Sequence, residues 1–157
     1  MKIKIIFFFL LISFLTTSCG FKVLNKSENI NFFIQEIRTS GEIRINHKIK
    51  NNILINSKET SENQVIINLN TKKNKSIKEK NIKNEITKYK IAINVEVRFN
   101  EINKNNTEKF LVSKTGDYDA AKQYSQTLEN EKKLTELLTD EIAEDILGKL
   151  IIKLNAI

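Results

Sequence analysis

One stretch near the middle of the chain constrains the fold more than any other. From Lys88 to Glu101 the sequence KYKIAINVEVRFNE places an apolar side chain at every second position, with polar or small residues between them. Successive side chains of a β-strand point to opposite faces of the sheet, so this alternation predicts a long strand with one buried and one solvated face. Such one-sided burial is typical of antiparallel sheets. The apolar positions are Tyr89, Ile91, Ile93, Val95, Val97 and Phe99.

Three other segments carry shorter strand patterns. Asn29–Arg38 (NINFFIQEIR) is rich in β-branched and aromatic residues, and Gln64–Thr71 (QVIINLNT) alternates apolar with polar positions. Thr107–Lys114 (TEKFLVSK) follows a polar turn, so we expect it to form a hairpin with the long strand, and the pair to protrude as a ribbon. Segment 72–88 (KKNKSIKEKNIKNEITK) shows no periodicity and is predicted to be a connection.

The segment after the first strand is ambiguous. Isoleucine recurs every four residues from Ile45 to Ile53, as on a helix face, although alternation from Ile43 to Ile49 also fits a strand. Thr39 and Glu42 match the spacing of a helix capping box, in which the two side chains bond the first backbone amides. This match favours a helix.

The C-terminal part of the chain changes to a helical period from Ser125 onward. Ser125 or Thr127 is a suitable N-cap, and Gly148 is the one weak helix former expected inside the helix. Apolar residues recur at steps of three and four, which predicts a long amphipathic helix. The stripe consists of Leu134, Leu137, Leu138, Ile142, Ile146, Leu150 and Leu154.

The predicted order of elements is therefore β-α-β-β-β-α. A sheet with one solvated face must bury the other, and two amphipathic helices are available to cover it. We therefore predict an α+β, two-layer sandwich in which a four-stranded, mostly antiparallel sheet is packed by two helices.

The first residues have the pattern of a secretory signal. Lys2 and Lys4 precede an uncharged run, Ile5–Leu15, that is too short to span a hydrocarbon core, which needs about 20 apolar residues. Small residues then precede Cys19, which is the sole cysteine. A lone cysteine can form neither an internal disulfide nor a metal cluster. A plain secreted protein and an N-terminally anchored protein are the alternatives to acylation of this cysteine.

Small residues followed by Cys19 and Gly20 resemble a lipobox, the bacterial lipoprotein signal, although Thr16 stands where leucine is usual. The resemblance implies that residues 1–18 are a signal peptide, that Cys19 is the lipid attachment site, and that 19–28 form a tether. Residues 29–157 then form one periplasmic domain. Gly20, where aspartate commonly retains lipoproteins at the inner membrane, implies the outer membrane of a Gram-negative cell, with the body on its periplasmic side.

The net charge and the composition exclude few classes of function, and neither supports a catalytic one. The chain has a net charge of +7, which falls to +5 once the two N-terminal lysines are removed, so nucleic acid is not a required partner. His47, the sole histidine, has no cluster of cysteine, histidine or aspartate at metal-ligand spacing, and no histidine accompanies the serines and acidic residues in a triad-like arrangement. We therefore expect a protein that is not an enzyme and has no metal or cofactor other than acyl groups on Cys19.

The combination of features resembles one family. A signal ending in Cys19-Gly20-Phe21, the order β-α-β-β-β-α and the tail from Asp117 to Leu154 look like LptE, the small outer-membrane lipoprotein that partners the lipopolysaccharide-assembly barrel LptD. The resemblance implies a plug that sits in the barrel lumen, stabilises the barrel and assists lipopolysaccharide transport in cell-envelope biogenesis. It also implies contact with the inner leaflet of the outer membrane through the acyl chains.

Direct contact with lipopolysaccharide would need cations that face lipid A phosphates. The alternative is that each lysine is a solvated residue of a composition rich in lysine. The candidate contacts are Lys72, Lys73, Lys75, Lys78, Lys90 and Arg98, with Lys80, Lys83 and Lys88 nearby.

Two other functions remain open. A lipid-anchored periplasmic module could bind an amphiphile or another envelope protein on its own, and a small envelope hydrolase is a third alternative with no motif in its favour. Co-purification with a large β-barrel would distinguish the plug from both.

Overall fold

The computed structural model describes residues 32–57, 61, 63–104 and 106–155. Its elements follow the predicted order and together form an α+β fold. They are β1 (Phe33–Gly41), α1 (Ile43–Ile55), β2 (Gln64–Lys80), β3 (Ile86–Glu101), β4 (Asn106–Asp119) and α2 (Tyr124–Asn155).

The four strands form one mixed sheet in the order β1-β2-β3-β4. β1 pairs with β2 in parallel, and the two other pairs are antiparallel. A parallel pair needs a crossover connection, and α1 supplies it here. The predicted α+β fold class is therefore confirmed.

The prediction for segment 72–88 was wrong, because most of it is strand. β2 continues from Thr71 to Lys80, and β3 already begins at Ile86. The alternation of inward and outward side chains that begins with Val65, Ile67 and Leu69 continues along β2. Beyond Thr71, however, lysines take inward positions that apolar residues would usually occupy. A hydrophobic pattern cannot reveal a strand whose inner face is charged.

β4 also extends further than predicted: it ends at Asp119 and includes Gly116. A Cβ at Gly116 would approach Leu134 of α2, so glycine permits close packing of strand and helix there. Together β2, β3 and β4 form a ribbon that extends beyond β1, which ends at Gly41 beside Thr71.

β1 extends three residues past the end of its predicted range, Arg38, and contains a bulge. The register shifts between Ile34 and Glu36, so that Ile34 and Ile37, three residues apart, are both buried. A bulge inserts one extra residue and bends the strand, which strict alternation cannot predict. Asn29, Ile30 and Asn31, part of the predicted strand, lie outside the described residues.

Helix α1 is confirmed, but the predicted capping box is wrong. Thr39 lies in β1, and Glu42 is the N-cap without a side-chain capping bond. The helix start is held instead through Asn46, whose side chain donates to the Ser40 carbonyl at 2.8 Å and accepts from the Thr71 hydroxyl at 2.7 Å. Tertiary contacts to β1 and β2 thus replace local capping.

Helix α2 runs unbroken from Tyr124 to Asn155, about 48 Å at 1.5 Å per residue. Ser125 and Thr127 lie inside its first turn, so neither is the N-cap, and the Thr127 hydroxyl accepts from the Ala121 amide instead. Of the predicted stripe, Leu137 is 56% exposed. The other members are buried or packed against the core: Leu134, Leu138, Ile142, Ile146, Leu150 and Leu154.

Both helices cover the same face of the sheet and form one core with it. Alternate side chains of β3 from Ile91 to Phe99 are at most 1% exposed, as is Ile49 of α1. Burying each such side chain contributes roughly 1.5–3 kcal/mol relative to leaving it in water. The opposite face of the sheet is left uncovered in the described part of the chain.

Replacing Gly41 with alanine should lower the free energy of unfolding by at least about 2 kcal/mol. Gly41 has φ +87°, and an added Cβ would clash with the Thr71 carbonyl oxygen. Urea denaturation monitored by circular dichroism measures the loss.

Gly148→Ala is the matched control. Gly148 lies within α2 with no atom within 4 Å of an added Cβ, so alanine should increase stability by about 0.5–1 kcal/mol. A Gly41→Ala variant as stable as the unmodified chain would contradict the close approach of Gly41 to the Thr71 carbonyl.

Candidate functional site

The uncovered side of the sheet, called the open face here, is largely polar. Amide and hydroxyl groups prevail on it, and the Ser113 hydroxyl donates to the Asn94 side-chain oxygen at 2.6 Å. A shallow hollow of about 400 Å³ lies between β1 and β3, beside the Arg98–Glu96 ion pair. The polar side chains of the open face include Asn68, Asn70, Asn74, Ser76, Asn94, Ser113 and Thr115.

Four of the six predicted contact residues lie on the open face. Lys78 is paired with Asp117 and Arg98 with Glu96. Lys72 and Lys90, both exposed, have no carboxylate within 4 Å among the described side chains. The structure therefore brings these four cations to one surface, two of them with their charge already balanced.

The other two predicted contacts, Lys73 and Lys75, point to the inner face. Both pair with Glu131 of α2, with Nζ–Oε distances of 2.8 Å and 2.7 Å. Tyr118 donates to the same carboxylate at 3.0 Å and stacks on Tyr89. These five residues form what is called the Glu131 cluster here, which fastens the ribbon to α2 where the apolar core ends.

Electrostatics within the Glu131 cluster favour the charged forms of Glu131 and Lys75 and the neutral form of Tyr118. Burial by itself raises the pKa of Glu131, but hydrogen bonds from Lys73, Lys75 and Tyr118 outweigh it and lower the pKa to about 2. The hydrogen bond to Glu131 in turn raises the pKa of Lys75. Burial raises the pKa of Tyr118. The cluster thus holds its ion pairs across the neutral range.

The remaining predicted residues lie near the end of the ribbon or outside the described part of the chain. Lys80 donates to the Asn84 side chain, and Lys88 pairs with Glu79. Lys83 lies in the turn, and Cys19 lies outside the described residues.

His47 is exposed on α1, where its ring lies 3.3 Å from the Asn51 side-chain nitrogen. Within the described ranges, no group of three or more histidine, cysteine, aspartate or glutamate side chains has the arrangement of a metal site. No helix in these ranges has the length and apolarity of a membrane span.

A second concave surface, called the interhelical cleft here, lies on the covered side of the sheet. It has a volume of about 760 Å³ and opens between the first turns of α1 and the N-terminal half of α2. Leu128, Ile45 and the side chains of Arg44 and Lys132 line it, and the Lys73–Glu131 pair closes one side. Its size falls within the usual range of small-molecule pockets, about 300–1,000 Å³.

Sequence reasoning missed both the Glu131 cluster and the cleft. The inward lysines were visible as a continuation of the β2 alternation, since Lys73 and Lys75 have the parity of Leu69 and Thr71. Their partner Glu131 is more than fifty positions away along the chain, and a single sequence gives no signal for such a pair.

No protein-family model and no curated protein matches this chain. Solved structures do match its fold. The chain is similar to an uncharacterized lipoprotein B from Nitrosomonas europaea, with 16% identity, a TM-score of 0.62 and coverage of 87% of this chain and 94% of that one.

Two further solved structures are similar at lower scores. A minor lipoprotein from Acinetobacter baumannii has 10% identity and a TM-score of 0.52, with coverage of 78% of this chain and 94% of that one. Rare lipoprotein B from Shewanella oneidensis has 12% identity and a TM-score of 0.50, with coverage of 77% and 93%. At these identities, the likeness establishes a shared fold.

Acid should remove the contribution of the Glu131 cluster to stability. The pKa of Glu131 is lower in the folded chain than the roughly 4.3 of an unfolded glutamate, so its stabilising effect is complete above about pH 5 and is lost as the pH falls towards 2. Glu131→Gln should cost about 2–3 kcal/mol at pH 7 and flatten the decline of stability between pH 5 and 3.

Urea denaturation at pH 7, 5 and 3 measures this effect. Glu129→Gln is the control: the hydrogen bond from Lys133 also lowers the pKa of Glu129, but this pair is exposed and screened by solvent, so the substitution should change the pH profile much less than Glu131→Gln does. Equal pH profiles for Glu131→Gln and the unmodified chain would show that the cluster does not stabilise the fold.

Proposed function

We propose that the chain is a bacterial envelope lipoprotein acylated at Cys19. Two independent observations support this. The first residues resemble a lipoprotein signal that ends at Cys19. The fold is shared with three solved proteins described as lipoproteins, over at least 93% of each of those chains. One acyl chain binds a membrane only marginally, whereas two or more hold a protein stably at about 0.8 kcal/mol per buried CH₂.

We further propose that the anchored domain is a non-enzymatic plug of an LptD-like barrel in the outer membrane, where it assists lipopolysaccharide transport to the cell surface. The observation that carries this proposal is the open face, a broad polar sheet surface attached to a closed core. Large outer-membrane barrels have a polar interior, so such a face can lie against the lumen wall without an apolar patch. The anchor at Cys19 would raise the concentration of the domain beside the barrel.

In this arrangement the chain acts by shape and charge. The core formed by α2 and β3 keeps the sheet rigid, and the Glu131 cluster keeps the ribbon aligned with α2. Lipopolysaccharide phosphates near the open face would meet Lys72 and Lys90 first, because no described carboxylate lies within 4 Å of either lysine. Lys78 and Arg98 would have to exchange their partners Asp117 and Glu96.

A second function, a lipid-anchored module that binds an amphiphile by itself, is favoured by the interhelical cleft. The two functions predict different partners that remain bound to the chain during purification. A plug co-purifies with a barrel in near-equal amount, whereas an autonomous binding module co-purifies with bound lipid and no barrel.

Replacing Cys19 with serine should abolish acylation, because a hydroxyl cannot take the place of the thiol in the lipid transfer. Metabolic labelling with palmitate, followed by separation of membranes, measures both acylation and location. Ser18→Ala retains a small residue before the cysteine and should still be labelled. A Cys19→Ser variant that incorporates palmitate as the unmodified chain does would contradict the anchor.

A tagged chain, purified from membranes in mild detergent, should bring down a large β-barrel in near-equal amount. Ala92→Arg places a bulky charge at the centre of the open face, where Ala92 lies between Asn74 and Thr115, and should reduce the recovered barrel at least fivefold. Quantitative mass spectrometry of the eluate measures the ratio.

Gln126→Arg is the matched control, because it adds the same charge to an exposed position of α2. It should leave recovery of the barrel unchanged, and both variants should retain the urea midpoint of the unmodified chain. Equal recovery with Ala92→Arg would show that the open face does not contact the barrel.

A further inference from the structure

The interhelical cleft exposes apolar side chains in a concave site. Leu128 is 45% exposed on α2, and Ile43 is 83% exposed at the opposite lip on α1. Ile45 is buried behind them and forms the floor together with Thr139. A single exposed leucine on a convex surface is common in soluble proteins. Apolar side chains that line a cleft, by contrast, can bind an apolar chain.

The charged groups around the cleft divide into two kinds. Lys48 pairs with Asp140, and Lys73 pairs with Glu131, both at 2.8 Å, so these two lysines have their charge balanced. Arg44 and Lys132 lie at the lips with no carboxylate within 4 Å among the described side chains.

Two carboxylates, Glu42 and Glu136, also line the cleft, and no ion pair joins either of them to Arg44 or Lys132. A bound anion would therefore interact with Arg44 and Lys132 and would be repelled by Glu42 and Glu136. This repulsion gives the test a variant that should strengthen binding.

We propose that the interhelical cleft binds a single-chain anionic amphiphile, with its acyl chain against Leu128, Ile43 and Ile45 and its carboxylate or phosphate head group at Arg44 and Lys132. Fatty acids and anionic lysophospholipids share this chemistry. Binding is non-covalent and requires no barrel, so the site is independent of the proposed plug.

Photolabelling of the full chain in its own membranes tests the site. Membranes from cells that produce the chain are incubated with a photoreactive, clickable analogue of dodecanoate and irradiated, and the labelled peptides are identified by mass spectrometry. The label should concentrate on the peptides that carry Ile43 and Leu128, and unlabelled dodecanoate should compete with it.

Matched variants separate the cleft from general surface labelling. Leu128→Asp should reduce labelling about tenfold, whereas Leu137→Asp, on the same helix and 56% exposed but outside the cleft, should not. Lys132→Ala should weaken labelling, whereas Lys133→Ala, which removes the partner of Glu129, should not. Glu136→Gln should strengthen labelling because it removes a repelling charge.

A series of competitors identifies the chemistry of the ligand. Each added CH₂ between octanoate and dodecanoate should improve competition up to about fourfold, which is the ratio expected for full burial of a methylene. Lysophosphatidylglycerol that competes better than dodecanoate would identify a phosphate head group, and the reverse order would identify a carboxylate. Neutral dodecyl maltoside should compete at least tenfold more weakly than the better of the two.

Three outcomes would overturn the proposal. The first is label distributed over the chain in proportion to exposure, and the second is equal labelling of Leu128→Asp and Leu137→Asp. The third is equal competition by dodecyl maltoside, which would exclude a role for Arg44 and Lys132. Because the measurement does not involve a barrel, failure of the cleft would leave the proposed plug unaffected.

Discussion

Burial of the inner face of β3 against α2 is the constraint on which the rest of the structure depends. Five alternating apolar residues from Ile91 to Phe99 are almost fully removed from water, and the buried stripe of α2 covers them. The period of two in the strand and the period near four in the helix both align apolar side chains on one side. Because one face must be covered in this way, the other is free to carry amides, hydroxyls and charges, and that division produces the open face.

Ion pairs replace apolar contacts between the sheet and α2 at the end of the apolar core. Beyond Thr71, β2 has no neighbour in β1, and its inward side chains become Lys73 and Lys75. Glu131 balances both lysines from α2, and Tyr118 donates a further hydrogen bond. A half-buried carboxylate that accepts from three donors stabilises the contact between β2 and α2 more than an exposed ion pair would, because solvent and salt screen its charge less. The ribbon is therefore held to α2 by this polar cluster as well as by the packing of Gly116 against Leu134.

The functional proposals follow from where each charge lies. Lysines that the sequence presented as one group belong to two surfaces, because alternate residues of β2 face opposite sides of the sheet. Lys72 belongs to the open face and the proposed barrel contact, whereas Lys73 lines the interhelical cleft. The two surfaces are on opposite sides of the molecule. A domain whose open face contacts the lumen wall of a barrel could therefore still bind a small ligand in its cleft.

The sequence by itself determined the fold class, the element order, the long strand β3 and the helical C-terminus, because each rests on a local period that burial of one face imposes. It also determined that only Cys19 can carry a thioether-linked lipid. Tertiary structure alone decided the length of β2, the bulge after Ile34, the start of α1 and the partner of Lys73. For β2 and α1 a distant residue replaces a local signal: Glu131 allows lysine to face inward, and Thr71 and Asn46 hold the helix start that a local cap was expected to hold.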